Sequence, residues 1–406
     1  MQADTPQQDR LENARILIYS HDTFGLGHLR RCRTLAHALV EQFQGLSVLI
    51  ISGSPIIGRF EFKSRVDFVR IPGVIKLRNG DYTSLGLHID LKDTLKLREA
   101  IILHTATAFQ PDLFIVDKEP LGLKGEIETT LQMLLDKGVP SVLGIRDVLD
   151  SPRLLKPEWE SKQAISAIER YYREIWVYGD AAMGNPLAGL DIPEKVQEKI
   201  HYSGYLQRHL PETAASQHLQ QIPGPYILIT PGGGGDGVEM VEAVLSAYEQ
   251  CQDLPWHVLF VLGPFMAQVE QQAFQQRVDR LANASMLTFD NQMESLMNGA
   301  AAVVAMGGYN TFCEILSFNK RALLIPRVRP REEQLIRARH AQSLGLVSVL
   351  EPQDICNESM CQALRALPEQ PLPQQLMNED FLNGLASVGQ RTQQLLLNTC
   401  LLNPEA

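Results

Sequence analysis

The 406-residue sequence has no apolar run that approaches the roughly 20 residues a membrane-spanning helix needs. Its first residues, MQADTPQQDRLEN, are polar and lack the apolar segment of a secretory signal peptide. These two absences favour a cytoplasmic protein, peripheral at most to the inner face of a membrane.

The chain also lacks an excess of basic residues and any paired-cysteine motif. Its formal net charge is −10, which disfavours nucleic acid as the main partner because phosphate neutralisation needs a basic surface. The six cysteines are scattered without CxxC or zinc-type spacing, so we expect reduced thiols, no metal site and no cofactor.

What the sequence does contain is a regular alternation of short apolar runs with longer amphipathic segments. ARILIYS, LSVLIISG and PDLFIVDK are typical of buried parallel strands, and a second series begins at YILIT. The length favours two domains. The predicted fold class is therefore α/β, with two Rossmann-like domains that face each other across a cleft at the carboxyl ends of their strands.

The domain boundaries follow from a break in this alternation. RHLPETAASQHLQQIPGP loses apolar periodicity and is bounded by prolines, so it is the best candidate linker. The predicted organisation is an N-terminal acceptor domain over residues 1–208, a linker over 209–223, a C-terminal donor domain over 224–377, and a C-terminal helix over 378–406 that can pack back on the N-terminal domain.

The first loop of interest is HDTFGLGHLRR, directly after ARILIYS. Gly25 and Gly27 allow a tight turn and close approach of the backbone to a phosphate or an acceptor. His28 then falls in the first helical turn, where the helix dipole and Arg30, Arg31 and Arg33 favour the neutral imidazole that a general base requires. Two interpretations stay open: a catalytic base, or a helix residue that only bonds a backbone carbonyl.

The second loop is TPGGGGDG, after the strand YILIT. Four consecutive glycines, Gly232, Gly233, Gly234 and Gly235, have a high entropic cost for a plain turn. No GK[ST] follows, so this is not a Walker A loop. The position after a strand favours close approach to a phosphate or sugar over a structural linker.

The third block, AAVVAMGGYNTFCEILSFNKRALLIPRVRPREEQLIRA, carries the strongest signal. A strand leads into Gly307 and Gly308, and the spacing predicts that Asn310 and Thr311 cap the next helix and leave amides for a diphosphate. Glu314 lies about one turn further, where a carboxylate can bind a ribose. Past the next strand, Glu333 and Gln334 can bond sugar hydroxyls. A single helix glutamate is usually a solvated charge, and only the spacing of the whole block favours a site.

The MGGYNTFCE and PRVRPREEQ segments resemble the nucleotide-sugar signature of GT-B glycosyltransferases, with family 28 as the looser variant. The resemblance implies that Gly308, Asn310 and Thr311 face the diphosphate, Glu314 binds ribose, and Glu333 and Gln334 read the donor sugar. The four-glycine stretch resembles the family's glycine-rich donor loop. One departure is Met306, where the plant-type motif has a phosphate-contacting histidine.

FGLGHLRR is similar to the GGH loop of family 28, and still more to the GxGHxxR loop of the UDP-sugar hydrolase of pseudaminic acid synthesis. This similarity implies that His28 is the catalytic base. Other polar residues at strand ends are candidates for acceptor contacts or a second base, although structural ion pairs explain them equally well; they are Asp117, Lys118, Glu119, Arg146 and Asp147.

The resulting hypothesis is a metal-independent, inverting glycosyltransferase. It would use a nucleotide sugar, most simply UDP-linked, as substrate and a hydroxyl acceptor, lipid-linked or polysaccharide, in polysaccharide or glycolipid biosynthesis. The alternatives are a nucleotide-sugar hydrolase and a non-catalytic sugar-nucleotide-binding subunit. Residues 56–80 interleave six basic residues with apolar ones, which suits either a peripheral membrane contact or a solvated loop.

Overall fold

The computed structural model describes residues 13–21, 27–76, 82–210, 216–233, 235–251 and 253–402, with side chains to residue 397. Two compact units account for the chain. The first comprises Met1–Ala181, Pro186–Leu206 and Asn383–Ala406, and the second comprises Ala182–Asn185 and Gln207–Leu382.

The first unit is built on a sheet of seven parallel strands in the order β3-β2-β1-β6-β7-β8-β9, beside a small antiparallel β4-β5 pair. The strands are β1 (Arg15–Ser20), β2 (Ser47–Ser52), β3 (Val66–Arg70), β4 (Val74–Lys76), β5 (Tyr82–Ser84), β6 (Leu113–Asp117), β7 (Ser141–Arg146), β8 (Glu174–Tyr178) and β9 (Ile200–Tyr202). The helices are α1 (Gly27–Gln42), α2 (Leu91–Phe109), α3 (Glu128–Asp136), α4 (Pro152–Ser161), α5 (Ala164–Tyr171) and α6 (Glu194–Gln197).

The second unit repeats this design with six parallel strands in the order β12-β11-β10-β13-β14-β15. Its strands are β10 (Tyr226–Thr230), β11 (His257–Val261), β12 (Ala284–Leu287), β13 (Ala302–Ala305), β14 (Arg321–Leu324) and β15 (Ser348–Val349). Its helices are α7 (Val238–Gln250), α8 (Gln268–Val278), α9 (Met293–Gly299), α10 (Tyr309–Ser317), α11 (Glu333–Ser343) and α12 (Asn357–Ala366).

The central strands are buried on both faces, as continuous apolar runs in a parallel sheet require. Every residue of β6, β8, β10 and β11 is buried. Helices cover each sheet with one apolar face; α1, for example, buries Leu29, Leu35 and Leu39. This arrangement leaves the loops at the carboxyl ends of the strands as the places where polar groups can act.

The last helix, α13 (Gly384–Leu402), belongs to the first unit and begins six residues after the predicted start at 378. Gln42 of α1 donates from Nε2 to the carbonyl oxygen of Leu385 at 3.1 Å. Arg391 pairs with Glu174 at the start of β8. Within the predicted linker, Ser216 donates to Asp290 of the second unit at 2.6 Å.

The prediction that all cysteines are reduced is wrong for one pair. Cys251, directly after α7, and Cys361, within α12, form a disulfide across a sequence separation of 110 residues. The sequence could not show this pairing, because only the packing of α12 against α7 brings the two sulfur atoms together.

Candidate functional site

Both sheets have a topological switch point, where strand order reverses and open α/β sheets bind ligands. In the first unit β1 lies between β2 and β6, so the carboxyl end of β1 lies beside that of β6. In the second unit β10 lies between β11 and β13, which brings the glycine-rich loop beside the MGGYN segment. The predicted site residues therefore fall at two defined places.

The first switch point contains a histidine paired with an aspartate. His28 is the second residue of α1, and its Nδ1 lies 2.5 Å from Oδ2 of Asp117, the last residue of β6. The His28 side chain is 23% exposed, whereas the Asp117 side chain is 3% exposed. Of the alternatives left open for His28, the structure shows a carboxylate, and not a backbone carbonyl, as the partner of Nδ1.

Arg31 completes this cluster from one turn further along α1. It is buried, and its Nε and Nη2 donate to Oδ1 of Asp117 at 2.8 and 2.6 Å. Burial alone would raise the pKa of Asp117, but the Arg31 guanidinium and His28 outweigh it and hold that pKa well below its ordinary value. Asp117 is therefore ionised and accepts hydrogen bonds only.

The ionised carboxylate determines the tautomer of His28. Nδ1 carries the proton donated to Asp117, which leaves Nε2 as the basic nitrogen. Burial lowers the pKa of His28, while Asp117 acts in the opposite direction. The imidazole is thus neutral at neutral pH, as predicted, although burial contributes more than the neighbouring arginine does.

The polar residues predicted to contact an acceptor have mostly internal partners. Asp117 is committed to His28 and Arg31, Glu119 accepts from Lys118 and Lys162 at 3.0 and 2.8 Å, and Asp147 accepts from Tyr205 at 2.6 Å. All three residues are at most 3% exposed. Buried charges need such partners, so of the two roles left open for these carboxylates the structure shows the internal pairs. Arg146 lies partly buried at the end of β7.

The glycine-rich loop follows β10 and is exposed. Gly232 has φ +80° with open space where a side chain would project, and Gly233 and Gly235 are exposed as well. Gly263 packs so closely beneath the loop that a Cβ there would collide with the Gly232 carbonyl oxygen. Gly27 begins α1, whereas Gly25 and Gly234 lie outside the described residues.

The MGGYN segment corrects the predicted helix cap. Helix α10 begins at Tyr309 with Gly308 as N-cap, so Asn310 and Thr311 lie in the first turn and do not cap it. Gly307 has φ +78°, a conformation that glycine adopts without strain. The first-turn amides of a helix point out of its N-terminus and attract anions, so the predicted diphosphate site keeps its physical basis.

The residues near the start of α10 have different surroundings. Arg208 donates from Nη2 to Oδ1 of Asn310 at 2.9 Å. Glu314 is one turn further on the same helix and only 4% exposed. Met306, the departure from the plant-type motif, is buried in the apolar core of this unit.

Glu333 and Gln334 begin α11 and are joined to the glycine-rich loop by Arg327. Arg327 donates to Asp236 at 2.6 Å and to Glu333 at 2.7 Å, and its backbone amide donates to Oε1 of Gln334 at 3.0 Å. Nε2 of Gln334 comes within 4.0 Å of a Cβ built on Gly308. The residues predicted to read phosphate and sugar are therefore neighbours in this unit.

Sequence reasoning missed the contacts by which arginines support both places. Arg337 of α11 is fully buried and donates to the carbonyl oxygen of Gly307 at 3.1 Å. Arg31 was named only as a charge near His28, although its position three residues later on the same helix face predicts a shared partner. Arg208 and Arg327 carry no such spacing signal, since Asn310 and Asp236, the partners that place them in the site, are 102 and 91 positions away.

Comparison with known proteins finds similarity to glycosyltransferases. Residues 227–392 match the Glycosyltransferase family 28 C-terminal domain. The "UDP-N-acetylglucosamine--N-acetylmuramyl-(pentapeptide) pyrophosphoryl-undecaprenol N-acetylglucosamine transferase" of Vibrio parahaemolyticus serotype O3:K6 is 26% identical over 157 residues, 39% of this chain and 43% of that protein. The chain spans less than half the length of the curated relatives it matches.

Solved structures resemble the whole chain. Acinetobacter baumannii MurG has a TM-score of 0.61 at 12% identity, over 95% of this chain and 99% of that one. The glycotransferase of kitacinnamycin has a TM-score of 0.64 at 14% identity, over the same shares. At such identities the likeness shows the fold, and the predicted class of two Rossmann-like domains is confirmed.

Proposed function

We propose that this chain, which has the GT-B fold, is a family 28 glycosyltransferase that transfers a sugar from a nucleotide-sugar donor to a hydroxyl acceptor. The observation that carries the proposal is the division of chemistry between the two switch points. The first holds a neutral histidine oriented by a buried carboxylate, and the second holds glycine-rich backbone beside a helix N-terminus. The former suits proton transfer and the latter suits a diphosphate.

The donor would bind at the second switch point. Amides at the start of α10 and the glycine-rich loop would hold the diphosphate, with Asn310 kept in place by Arg208. Glu314 would bind the ribose, and Glu333 and Gln334 would bond the sugar hydroxyls. We propose that backbone dipoles stabilise the leaving diphosphate without a metal ion.

The chemical step would be a single displacement. Nε2 of His28 takes the proton from the acceptor hydroxyl while its oxygen bonds to the anomeric carbon. The bond from that carbon to the diphosphate oxygen breaks, and the configuration inverts. Asp117 stabilises the imidazolium formed, and general base catalysis of this kind contributes about 10²- to 10⁴-fold.

The curated relatives are named for a UDP-N-acetylglucosamine donor and a pyrophosphoryl-undecaprenol acceptor. We therefore propose a UDP-linked donor and a lipid-linked acceptor. No helix in the described ranges combines the length and the apolar character that crossing a bilayer requires. The proposal thus calls for contact with a membrane surface.

The segment that follows the predicted basic stretch offers such a surface in the first unit. Leu87 and Ile89, after β5, are 45% and 43% exposed, and Leu97 of α2 is 41% exposed. Within residues 56–80, by contrast, the rings of Phe62 and Phe68 pack against each other, 5.2 Å apart. We propose that the apolar side chains of residues 85–97, and not those of 56–80, enter the membrane interface.

A donor screen tests the function. The protein is incubated with UDP-, GDP- and dTDP-sugars, with and without a bacterial lipid extract, while free nucleotide, free sugar and thermal shift are followed. We expect stabilisation by one nucleotide, slow release without lipid and faster release with it, and loss of release in His28→Ala. Rapid release of free sugar without lipid would instead indicate a hydrolase. Turnover unchanged in His28→Ala would contradict both enzymatic functions.

A further inference from the structure

A second histidine lies at the first switch point and has no role in the reaction described above. His21 directly follows β1 and is 6% exposed. Its ring centroid is 5.7 Å from that of His28, and the ring planes meet at 87°, an edge-to-face contact. The two imidazoles therefore share the place where the sheet changes direction.

The His21 ring carries a buried polar atom to which the described residues offer no partner. Nδ1 of His21 is inaccessible to solvent, and within the described ranges it has no hydrogen-bond partner. Leaving such an atom unbonded destabilises a fold, and native proteins rarely do so. A phenyl ring would fill the same space without that cost, so an imidazole here indicates a bond to a molecule outside the fold.

The charged groups around His21 are already paired with others. Glu119 bonds Lys118 and Lys162, and Glu126 bonds Arg98. Burial lowers the pKa of His21 to about 3, against the attraction of Glu119, so the ring is neutral at physiological pH. A neutral ring binds by hydrogen bonding and not by charge, which suits a hydroxyl group or water better than a phosphate.

We propose that His21 hydrogen-bonds, through Nδ1, the hydroxyl or water nucleophile whose proton His28 removes. This inference rests on the proposed function. It makes His21 a binding group for the nucleophile, while His28 stays the base. The oxygen would be held by one ring and deprotonated by the other.

Three substitutions separate hydrogen bonding from packing. His21→Phe keeps a ring beside His28 but has no polar atom. His21→Asn places its side-chain amide near the position of Nδ1, whereas His21→Gln reaches the position of Nε2. The assay is release of UDP from radiolabelled UDP-N-acetylglucosamine over long incubation, with water as nucleophile, together with UDP affinity and melting temperature.

We expect His21→Phe to slow UDP release at least tenfold with unchanged UDP affinity and an equal or higher melting temperature. His21→Asn should retain more activity than His21→Gln. The matched control is His37→Phe on α1, a half-buried histidine whose ring packs edge-on against Phe62, which should release UDP at the wild-type rate.

If His21→Phe releases UDP at the wild-type rate, the ring only packs. If its melting temperature falls strongly, Nδ1 has a structural role. Either result overturns the inference. If His28→Ala also leaves release unchanged, the proposed function itself fails. Loss of release in His28→Ala with wild-type release in His21→Phe rejects the role of His21 alone.

Discussion

The two switch points occupy equivalent positions in similar sheets but differ in the groups that form them. The first uses buried side chains, with Asp117 between His28 and Arg31. The second uses backbone at Gly232, Gly307 and the start of α10. Moving a proton requires a group whose pKa the surroundings can shift, whereas holding a diphosphate requires many amides close to the ligand. The contrast indicates that mutations should act on rate at the first place and on donor affinity at the second.

The largest effect is expected from Asp117→Asn. The neutral amide no longer fixes the His28 tautomer and no longer stabilises the imidazolium, so we expect kcat to fall by about 10²-fold or more. The variant also leaves buried Arg31 without its carboxylate partner. The free energy of unfolding should fall by several kcal/mol, as it does when one partner of a buried ion pair is removed. Steady-state UDP release and thermal unfolding measure the two effects separately.

The matched control is Glu126→Gln, which removes a buried carboxylate paired with Arg98 and bonded by Tyr19 but not by a histidine. It should lower the melting temperature while the folded protein keeps its turnover. Equal losses of turnover in the two variants would mean that Asp117 acts through stability alone.

Reduction of the disulfide should destabilise the second unit. A cross-link that closes a loop of 110 residues stabilises a fold by about 2–4 kcal/mol, chiefly through the unfolded state. A phosphine reductant should lower the melting temperature of the wild type but not that of the double variant Cys251→Ser, Cys361→Ser. Mass spectrometry after alkylation checks the pairing. Alkylation of both Cys251 and Cys361 in protein purified without reductant would contradict it.

Arg327→Met should weaken donor binding in a selective way. The variant releases Asp236 and Glu333 from the guanidinium they share, so the start of α11 loses its side-chain link to the glycine-rich loop. Gln334 keeps its bond to the backbone amide of residue 327. We expect the Kd for the UDP-sugar to rise about tenfold, equivalent to about 1.4 kcal/mol, and the Kd for UDP to change less. Calorimetry measures both affinities.

The control for Arg327 is Arg365→Met, which breaks an exposed ion pair with Asp253 in the same unit. Exposed pairs of this kind contribute little, so its affinities should match the wild type. Equal weakening for UDP and UDP-sugar in Arg327→Met would place its effect at the diphosphate.

A further expected effect, which is absent at neutral pH and grows as the pH is lowered, is specific to the first unit. The folded-state pKa of His21, about 3, lies below that of an unfolded histidine, about 6.5, so the unfolded chain binds more protons as the pH falls. Stability should therefore decline from pH 6.5 downwards, by up to about 2 kcal/mol at pH 5 from this residue. Melting temperatures of the wild type and His21→Phe between pH 7 and 5 measure this contribution. If the melting temperatures of both proteins fall equally with pH, His21 is not the cause.

Much of this arrangement was predictable because it depends on local patterns. Apolar runs of four to eight residues identified the strands, and their position placed His28, Gly232 and Gly308 at carboxyl ends. The N-cap of α10 was predicted wrongly. Asn310 is of a residue type that often caps helices, but Gly308, two positions earlier, is the N-cap. Sequence alone left two roles open for Asp117, Glu119 and Asp147, because a carboxylate at a strand end has the same local pattern whether it contacts a ligand or pairs internally; the structure shows the internal pairs.

The sequence by itself determined the alternation of strands and helices, the two Rossmann-like units, and the loops in which chemistry can occur, because periodicity and glycine placement are properties of neighbouring residues. Tertiary structure alone decided that Asp117 orients His28, that Arg327 joins two loops, and that Cys251 meets Cys361. These contacts join residues 89, 91 and 110 positions apart, and only the packed sheets bring them together.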